Sequence, residues 1–479
     1  MIIKLTQIVV CNMVVAALLM TPPVIAGEKA VPVRSAAELR QEMALQRATQ
    51  AVIWGIPAVS MMALRRSAER DLGATYNDVI FMSQPMVERH AFLTANNQTP
   101  YVAILLDTRS GPVVVEVPPA SPQTVLFGTA IDAWQVPVVD VGPQGDDAGR
   151  GGKYLFLPPG YDQTPPEGYL INRPATYHVY IALRPVAIGT GTLADAVAYS
   201  KQIKAYPLAQ AGNPPPNRYI DAFPRKWDSL PNYDQRFFAD LATVVTEEPA
   251  QPKDLAMLGM LSSLGIAKGT PFAPDAATNK TLAAAAKLGR DMLQANFLTP
   301  GKATVPFWTT SQWGAFNLSR EQSALGFPFV NAEQLLVDER AQAFFWLTFA
   351  PKKLGKGTFY LTSARDKGGR LLDAKSTYRL HVPADVPASQ FWSVIAYDLS
   401  TMSFIASAEK VGLSSYDKPG LTTNADGSTD LYFGPKAPKG KESNWLPTRK
   451  DFILMFRFYG PKPELFQKTW TMPDVERVK

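Results

Sequence analysis

A chain of 479 residues with 46% hydrophobic content and a single cysteine has enough apolar material for two or three packed domains without a disulfide framework. Its 48 lysines and arginines against 42 aspartates and glutamates leave a formal charge of +6, but the basic residues are dispersed, with no run of five, which argues against a nucleic-acid surface. The 41 prolines and 32 glycines are spread along the chain rather than gathered in repeats, a composition that favours many short strands over a helical bundle.

In chain order, residues 1–26 have the pattern of an export signal. Lys4 forms the positive end, Ile8 to Met20 an apolar stretch interrupted by Asn12, and Val24-Ile25-Ala26 a small-residue cleavage site. Cleavage near Ala26 would remove Cys11, the sole cysteine, and deliver a periplasmic or secreted product. No later stretch reaches the ~20 apolar residues of a membrane span.

An N-terminal helical segment is expected over 27–75. Ser35-Ala36-Ala37-Glu38 is a capping box, apolar spacing continues through Leu39, Met43, Leu45, Val52 and Ile53, Gly55 and Pro57 predict a kink, and Gly73 a stop. Residues 76–190 are expected to form a first β-sandwich, with strands at Tyr101 to Asp107, Pro112 to Val117, Thr124 to Trp134, Lys153 to Leu157 and Thr176 to Ile188. Over 191–350 a helical and connecting segment follows. A short helix opens at Thr192 and must stop at Tyr206-Pro207, Pro214 to Pro216 form an extended connector, and helical spacing returns at Tyr233 to Thr246, Asp254 to Leu264, Ala276 to Phe297 and Ala332 to Phe345. Strands resume in a C-terminal sandwich over 351–479, at Gly357 to Thr362, Thr377 to Val382, Gln390 to Asp398, Thr429 to Phe433 and Asp451 to Tyr459. The fold class is therefore mainly β with α segments: two β-sandwich, jelly-roll-like domains joined by a helical segment. Sandwich edges leave homo-oligomerisation open.

The C-terminal part combines Trp392, Tyr397-Asp398, Asp426-Gly427-Ser428, Asn444-Trp445-Leu446-Pro447, Arg457-Phe458-Tyr459-Gly460-Pro461, and Trp470 with Pro473. The N-terminal half carries Thr94-Ala95-Asn96-Asn97-Gln98-Thr99-Pro100-Tyr101, Gly111 to Pro118, Asp132-Ala133-Trp134 and Gly151 to Tyr161. Together, over roughly residues 50 to 475, these resemble the bacterial family of exported proteins that joins domain of unknown function 1254 to domain of unknown function 1214. The resemblance implies two β-sandwich domains with helices between and around them, and brings no reaction, substrate or cofactor. Many relatives carry Asp-Thr where this chain has Gln98-Thr99.

The three histidines, His90, His178 and His381, are far apart in sequence and supply no metal-ligand spacing, so no metal or other cofactor is called. His90 precedes the Asn96-Asn97 motif and is expected to be a packed or surface histidine, with a role as a base as the alternative. No Gly-x-Ser-x-Gly nucleophile signature occurs. Asn424 to Asp430 offers oxygen ligands at odd spacing and is taken as a glycine-bearing turn. Carboxylates remain as the chemical resource, since a pair can run acid–base or glycosidic chemistry if one is desolvated. Asp107, Glu116, Asp132 and Asp398 adjoin apolar strand residues, and Asp132 and Asp398 are the catalytic candidates. Asn96, Asn97, Thr99 and Tyr101 gather amide, hydroxyl and phenol groups suited either to orienting a polar ligand or to a hydrogen-bonded loop that braces a sheet edge. Trp134, Asn444 and Trp445 suit stacking on sugars or other flat ligands, although core packing is the favoured arrangement for the tryptophans. Arg184 and Arg457 are expected either to pair with buried carboxylates or to meet an anionic substrate, the pairing being the favoured arrangement. The reading is a metal-independent enzyme or binding protein for a polar small molecule or glycan, with a non-catalytic envelope or interaction protein as the alternative.

Overall fold

The computed structural model describes residues 34–317, 319–353, 357–417 and 420–478. The signal-like stretch 1–26 lies outside the described residues. The described residues fall into two units, one ending at Glu42 and one beginning at Met43. In the first, Ser35 and Glu38 close the expected capping box, each side chain taking the other residue's backbone N–H.

The chain is mainly β, with helices between and around the sheets. In the N-terminal half a six-stranded sheet has the order Tyr219–Asp221, Val79–Phe81, Val102–Asp107, His178–Ala187, Thr124–Asp132, Pro137–Val141. A four-stranded sheet runs Lys204–Pro207, Val113–Val117, Gly152–Phe156, Leu170–Asn172. The C-terminal half repeats the six-plus-four arrangement. Its larger sheet runs Thr304–Pro306, Gly314–Phe316, Thr358–Ser363, Phe452–Pro461, Ala388–Asp398, Gly412–Ser414, and its smaller one Trp445–Pro447, Thr429–Gly434, Thr377–Val382, Glu476–Val478.

Alternation along the strands decides what each face meets. On His178–Ala187, Val179, Ile181 and Leu183 join Val102, Ile104 and Leu106 in one apolar cluster with Val113, Val115 and Phe156 of the smaller sheet. The opposite face presents His178, Tyr180 and Arg184, and Tyr180 belongs with Leu105, Ile131 and the long helix to a second cluster. The C-terminal sheet is built the same way. Phe452 of the Phe452–Pro461 strand meets Tyr378 and Phe433 of the smaller sheet, while Arg457 and Tyr459 occupy the opposite row. Both larger sheets thus turn an outer face carrying an arginine away from their own sandwich.

The helix Ala36–Leu72 contains Pro57 in its interior, where the residues from Ala51 to Ala58 are buried and their packing offsets the lost backbone hydrogen bond. One local expectation is corrected. The helix opened by Thr192 ends at Ser200, and Lys204–Pro207 is a strand paired antiparallel with Val113–Val117, so proline stands at a strand end rather than a helix end.

Candidate functional site

Residues 94–101 connect the two larger sheets. Asn96 donates from Nδ2 to the Tyr459 phenol at 2.5 Å, and its Oδ1 accepts the Gln98 N–H at 2.7 Å. Asn97 Oδ1 accepts from Gln98 Nε2 at 2.8 Å, and the Asn97 amide lies so close to Gly412 that a side chain there would meet it. Thr99 Oγ1 accepts from Arg184 Nε at 2.9 Å, and the Arg184 guanidinium stands 5.5 Å from the Tyr101 ring centre. From the opposite side Arg457 Nη2 donates to the Thr94 carbonyl at 3.0 Å and to the Tyr397 phenol at 2.5 Å, and the Tyr397 hydroxyl donates to the Ala95 carbonyl. The Arg457 guanidinium lies 5.3 Å from the Tyr360 ring centre and 5.6 Å from that of Tyr397.

Two arginines, one from each half, therefore meet the same short segment among four tyrosines. Their charges are held by carbonyls, hydroxyls and ring faces, and among the described residues neither makes an ion pair. The expected pairing of Arg184 and Arg457 with buried carboxylates is thus not found. Arg457 is 2% exposed, and its Nη1 has no hydrogen-bond partner among the described residues. A buried guanidinium with an idle donor is costly unless an acceptor arrives. Arg184, Tyr101, Tyr360, Asn97 and Gln98 are half-buried, so the cluster reaches solvent.

Asp132 and Trp134 lie in a second place. Asp132 Oδ1 accepts the N–H groups of Trp134 at 2.8 Å and Val136 at 2.9 Å, closing the turn after its strand. Burial pushes its carboxyl up to about 6, against those two bonds and the Lys253 charge. Trp134 leans on Trp54 with ring centres 4.5 Å apart. Arg340, 1% exposed, donates to the Trp54 carbonyl at 2.8 Å and sits 5.2 Å from the Trp134 ring centre. Burial pulls its guanidinium down to about 10, while Asp254 and Asp132 oppose the fall. The two indoles line a cavity of about 200 Å³ together with Val244, Leu258, Ile266, Glu248 and Asp254.

Glu248 links this cavity to a third cluster that motif reading did not single out. It accepts from the Tyr177 N–H at 2.7 Å, the His178 N–H at 3.2 Å and His178 Nδ1 at 2.5 Å. Among the described residues His178 Nε2 has no hydrogen-bond partner, and it lies 3.6 Å from Asp107 and 3.8 Å from Glu247. Arg65 and Arg109 hold those two carboxylates. Burial alone would lower the His178 imidazole; Asp107 and Glu248 outweigh it and hold it above its ordinary value. The available signal was the period-2 row His178, Tyr180, Ala182, Arg184 opposite an apolar row.

The remaining candidates are spread over turns. Asp398 Oδ1 accepts from the Ser400 N–H and hydroxyl at 2.7 and 2.6 Å, and no hydrogen bond or ion pair joins it to Asp132 among the described residues. Asn444 pins residue 422 to the neighbouring strand through Thr422 N–H, Thr422 carbonyl and Asp430 carbonyl, and Trp445 Nε1 donates to the Gly434 carbonyl at 3.0 Å. His90 is packed, with both ring nitrogens engaged by backbone groups.

Residues 76–207 match the model of a protein family of unknown function, DUF1254, and residues 357–463 match a second family of unknown function, DUF1214. The fold is similar to that of the VPA0106 protein from Vibrio parahaemolyticus, with a TM-score of 0.53 and 18% identity over 91% of this chain and 100% of that one. An uncharacterized protein from Burkholderia cenocepacia compares at a TM-score of 0.40 and 13% identity, over 92% of this chain and 96% of that one. No curated protein matches the sequence.

Proposed function

We propose that this chain, which belongs to the two-domain family of DUF1254 followed by DUF1214, is a binding protein for a small polar molecule that carries an acid group, sugar acids among them. The observation that carries the reading is the convergence of Arg184 and Arg457 on residues 94–101 without a carboxylate partner among the described residues, one of them with an idle buried Nη1. Guanidinium groups present forked donors that match a carboxylate or phosphate. Tyr101, Tyr360 and Tyr459 add flat, hydroxylated surface of the kind that takes a sugar ring, and the amides of Asn97 and Gln98 add orienting donors. The chemistry needs neither metal nor cofactor. An export signal at 1–26 would place this binding in the periplasm or outside the cell.

Calorimetric titration with galacturonate and with galactose tests the reading. Galacturonate should bind at least ~10-fold more tightly than galactose, the ~1.4 kcal/mol expected of a charge-assisted pair. Arg184→Gln should remove that preference while leaving the fold intact. Equal binding of the acid and the neutral sugar, or no change in Arg184→Gln, would overturn it.

A further inference from the structure

We infer that the cavity walled by Trp54 and Trp134 is a second, independent site, which takes a single aromatic ring bearing a hydroxyl donor. Its volume of about 200 Å³ is the first argument. A dry apolar cavity of ~150 Å³ accommodates benzene, so this one has room for a ring with one small substituent. The walls are the second. Two indoles, Val244, Leu258 and Ile266 offer flat and branched apolar surface with few polar groups.

The polar edge then selects the substituent. Of the two carboxylates on the lining, Glu248 is spent on Tyr177 and His178. Asp254 is 3% exposed, and one of its oxygens accepts from Trp54 Nε1 at 3.1 Å. Its other oxygen makes no hydrogen bond among the described residues and stands 4.0 Å from Lys253 Nζ. An acceptor on the cavity lining with an open lone pair is matched by a donor from the ligand. Asp132 and Asp254 face the charges of Lys253 and Arg340, and the Glu248 carboxylate is paired with His178. The ligand therefore needs a donor and no net charge, which is the chemistry of a phenol rather than of an ammonium or an acid.

Ligand-observed NMR titration of the full chain with phenol, and with anisole as the same ring with its donor capped, decides the matter. Phenol should bind saturably and anisole at least ~10-fold more weakly. Ile266→Trp fills the cavity and should abolish phenol binding. Asp254→Asn keeps an acceptor for Trp54 and should weaken phenol about tenfold, since a charge-assisted bond is roughly twice as strong as a neutral one. Both variants are first shown to melt as the parent does. No saturable binding, equal affinity for anisole, binding that survives Ile266→Trp, or unchanged affinity in Asp254→Asn would each overturn the site. Arg184→Gln should leave phenol binding untouched, so failure here and failure of the acid-binding reading are told apart.

Discussion

Burial, more than any neighbour, sets the proton affinity of Asp132. The group is 3% exposed, and its carboxyl rises from 3.8 to about 6. A carboxyl that holds its proton more tightly when folded stabilises the protein below its unfolded value and loses that contribution as pH rises through the folded one. The rise corresponds to about 3 kcal/mol at most, spread between pH 4 and 7. Asp132→Asn keeps an oxygen for the Trp134 and Val136 N–H groups and has no charge to desolvate. Urea unfolding of both proteins at pH 4, 5.5 and 7 should show the variant gaining on the wild type as pH rises. His178 titrates in both and cancels in the comparison. A difference that stays flat with pH would show that Asp132 is solvated. At this scale the sequence was partly legible, since Asp132 and Trp134 could be singled out by their apolar neighbours. Arg184 and Arg457 could be singled out as well, but not their lack of a partner, because an ion pair joins residues that are distant in the chain.

Two glycines inside helices separate backbone preference from packing. In the helix Ala276–Leu298, a Cβ on Gly289 would lie 2.8 Å from Cβ and Cγ1 of Val52 on the long helix. In the helix Leu255–Ser262, Gly259 is exposed and has no atom within 4 Å of that position. Alanine is favoured over glycine in a helix by ~1 kcal/mol, whereas overpacking costs ~1–3 kcal/mol. Gly259→Ala should therefore raise stability by up to about 1 kcal/mol, and Gly289→Ala should lower it by up to about 2 kcal/mol because β-branched Val52 has little room to rotate away. Thermal melts of the pair check both signs; a stabilised Gly289→Ala would show that the two helices move apart without cost. Helices such as Ala276–Leu298 were legible nearly to the residue because capping and spacing are local, as with Asp275 accepting from the Thr278 N–H. Long strands were legible for the same reason. Very short ones such as Tyr219–Asp221 carry too few residues to show a period, and the placing of Lys204–Pro207 beside Val113–Val117 depends on a partner some 90 positions away.

The sequence divides naturally into two β regions and a helical middle, yet one apolar cluster ignores those divisions. It runs from Val52 and Trp54 of the long helix through Ile131 and Tyr180 of the N-terminal sheet to Leu282, Trp346, Val394 and Phe456. Polar contacts cross with it, among them Asn96 to Tyr459, which are 363 positions apart, and Arg340 to Trp54. No local pattern reports contacts of this kind, because the outer face of each larger sheet has the same alternation whether it meets water-filled space or another layer. Domains with little shared surface unfold separately, while halves that share a core must lose it together. Full-length protein in a scanning calorimeter should give a single endotherm for Met43–Lys479. Arg457→Gln, which loosens the hold on Thr94 and Tyr397 from the C-terminal sheet, should shift that endotherm downward as a whole. If the halves were independent, the trace would split and the substitution would move one component alone, because Arg457 belongs to the C-terminal sheet. A whole-trace shift would mean that the 94–101 segment is held in place by both sheets at once, so that the arginine pair exists as a site only while the two halves remain joined.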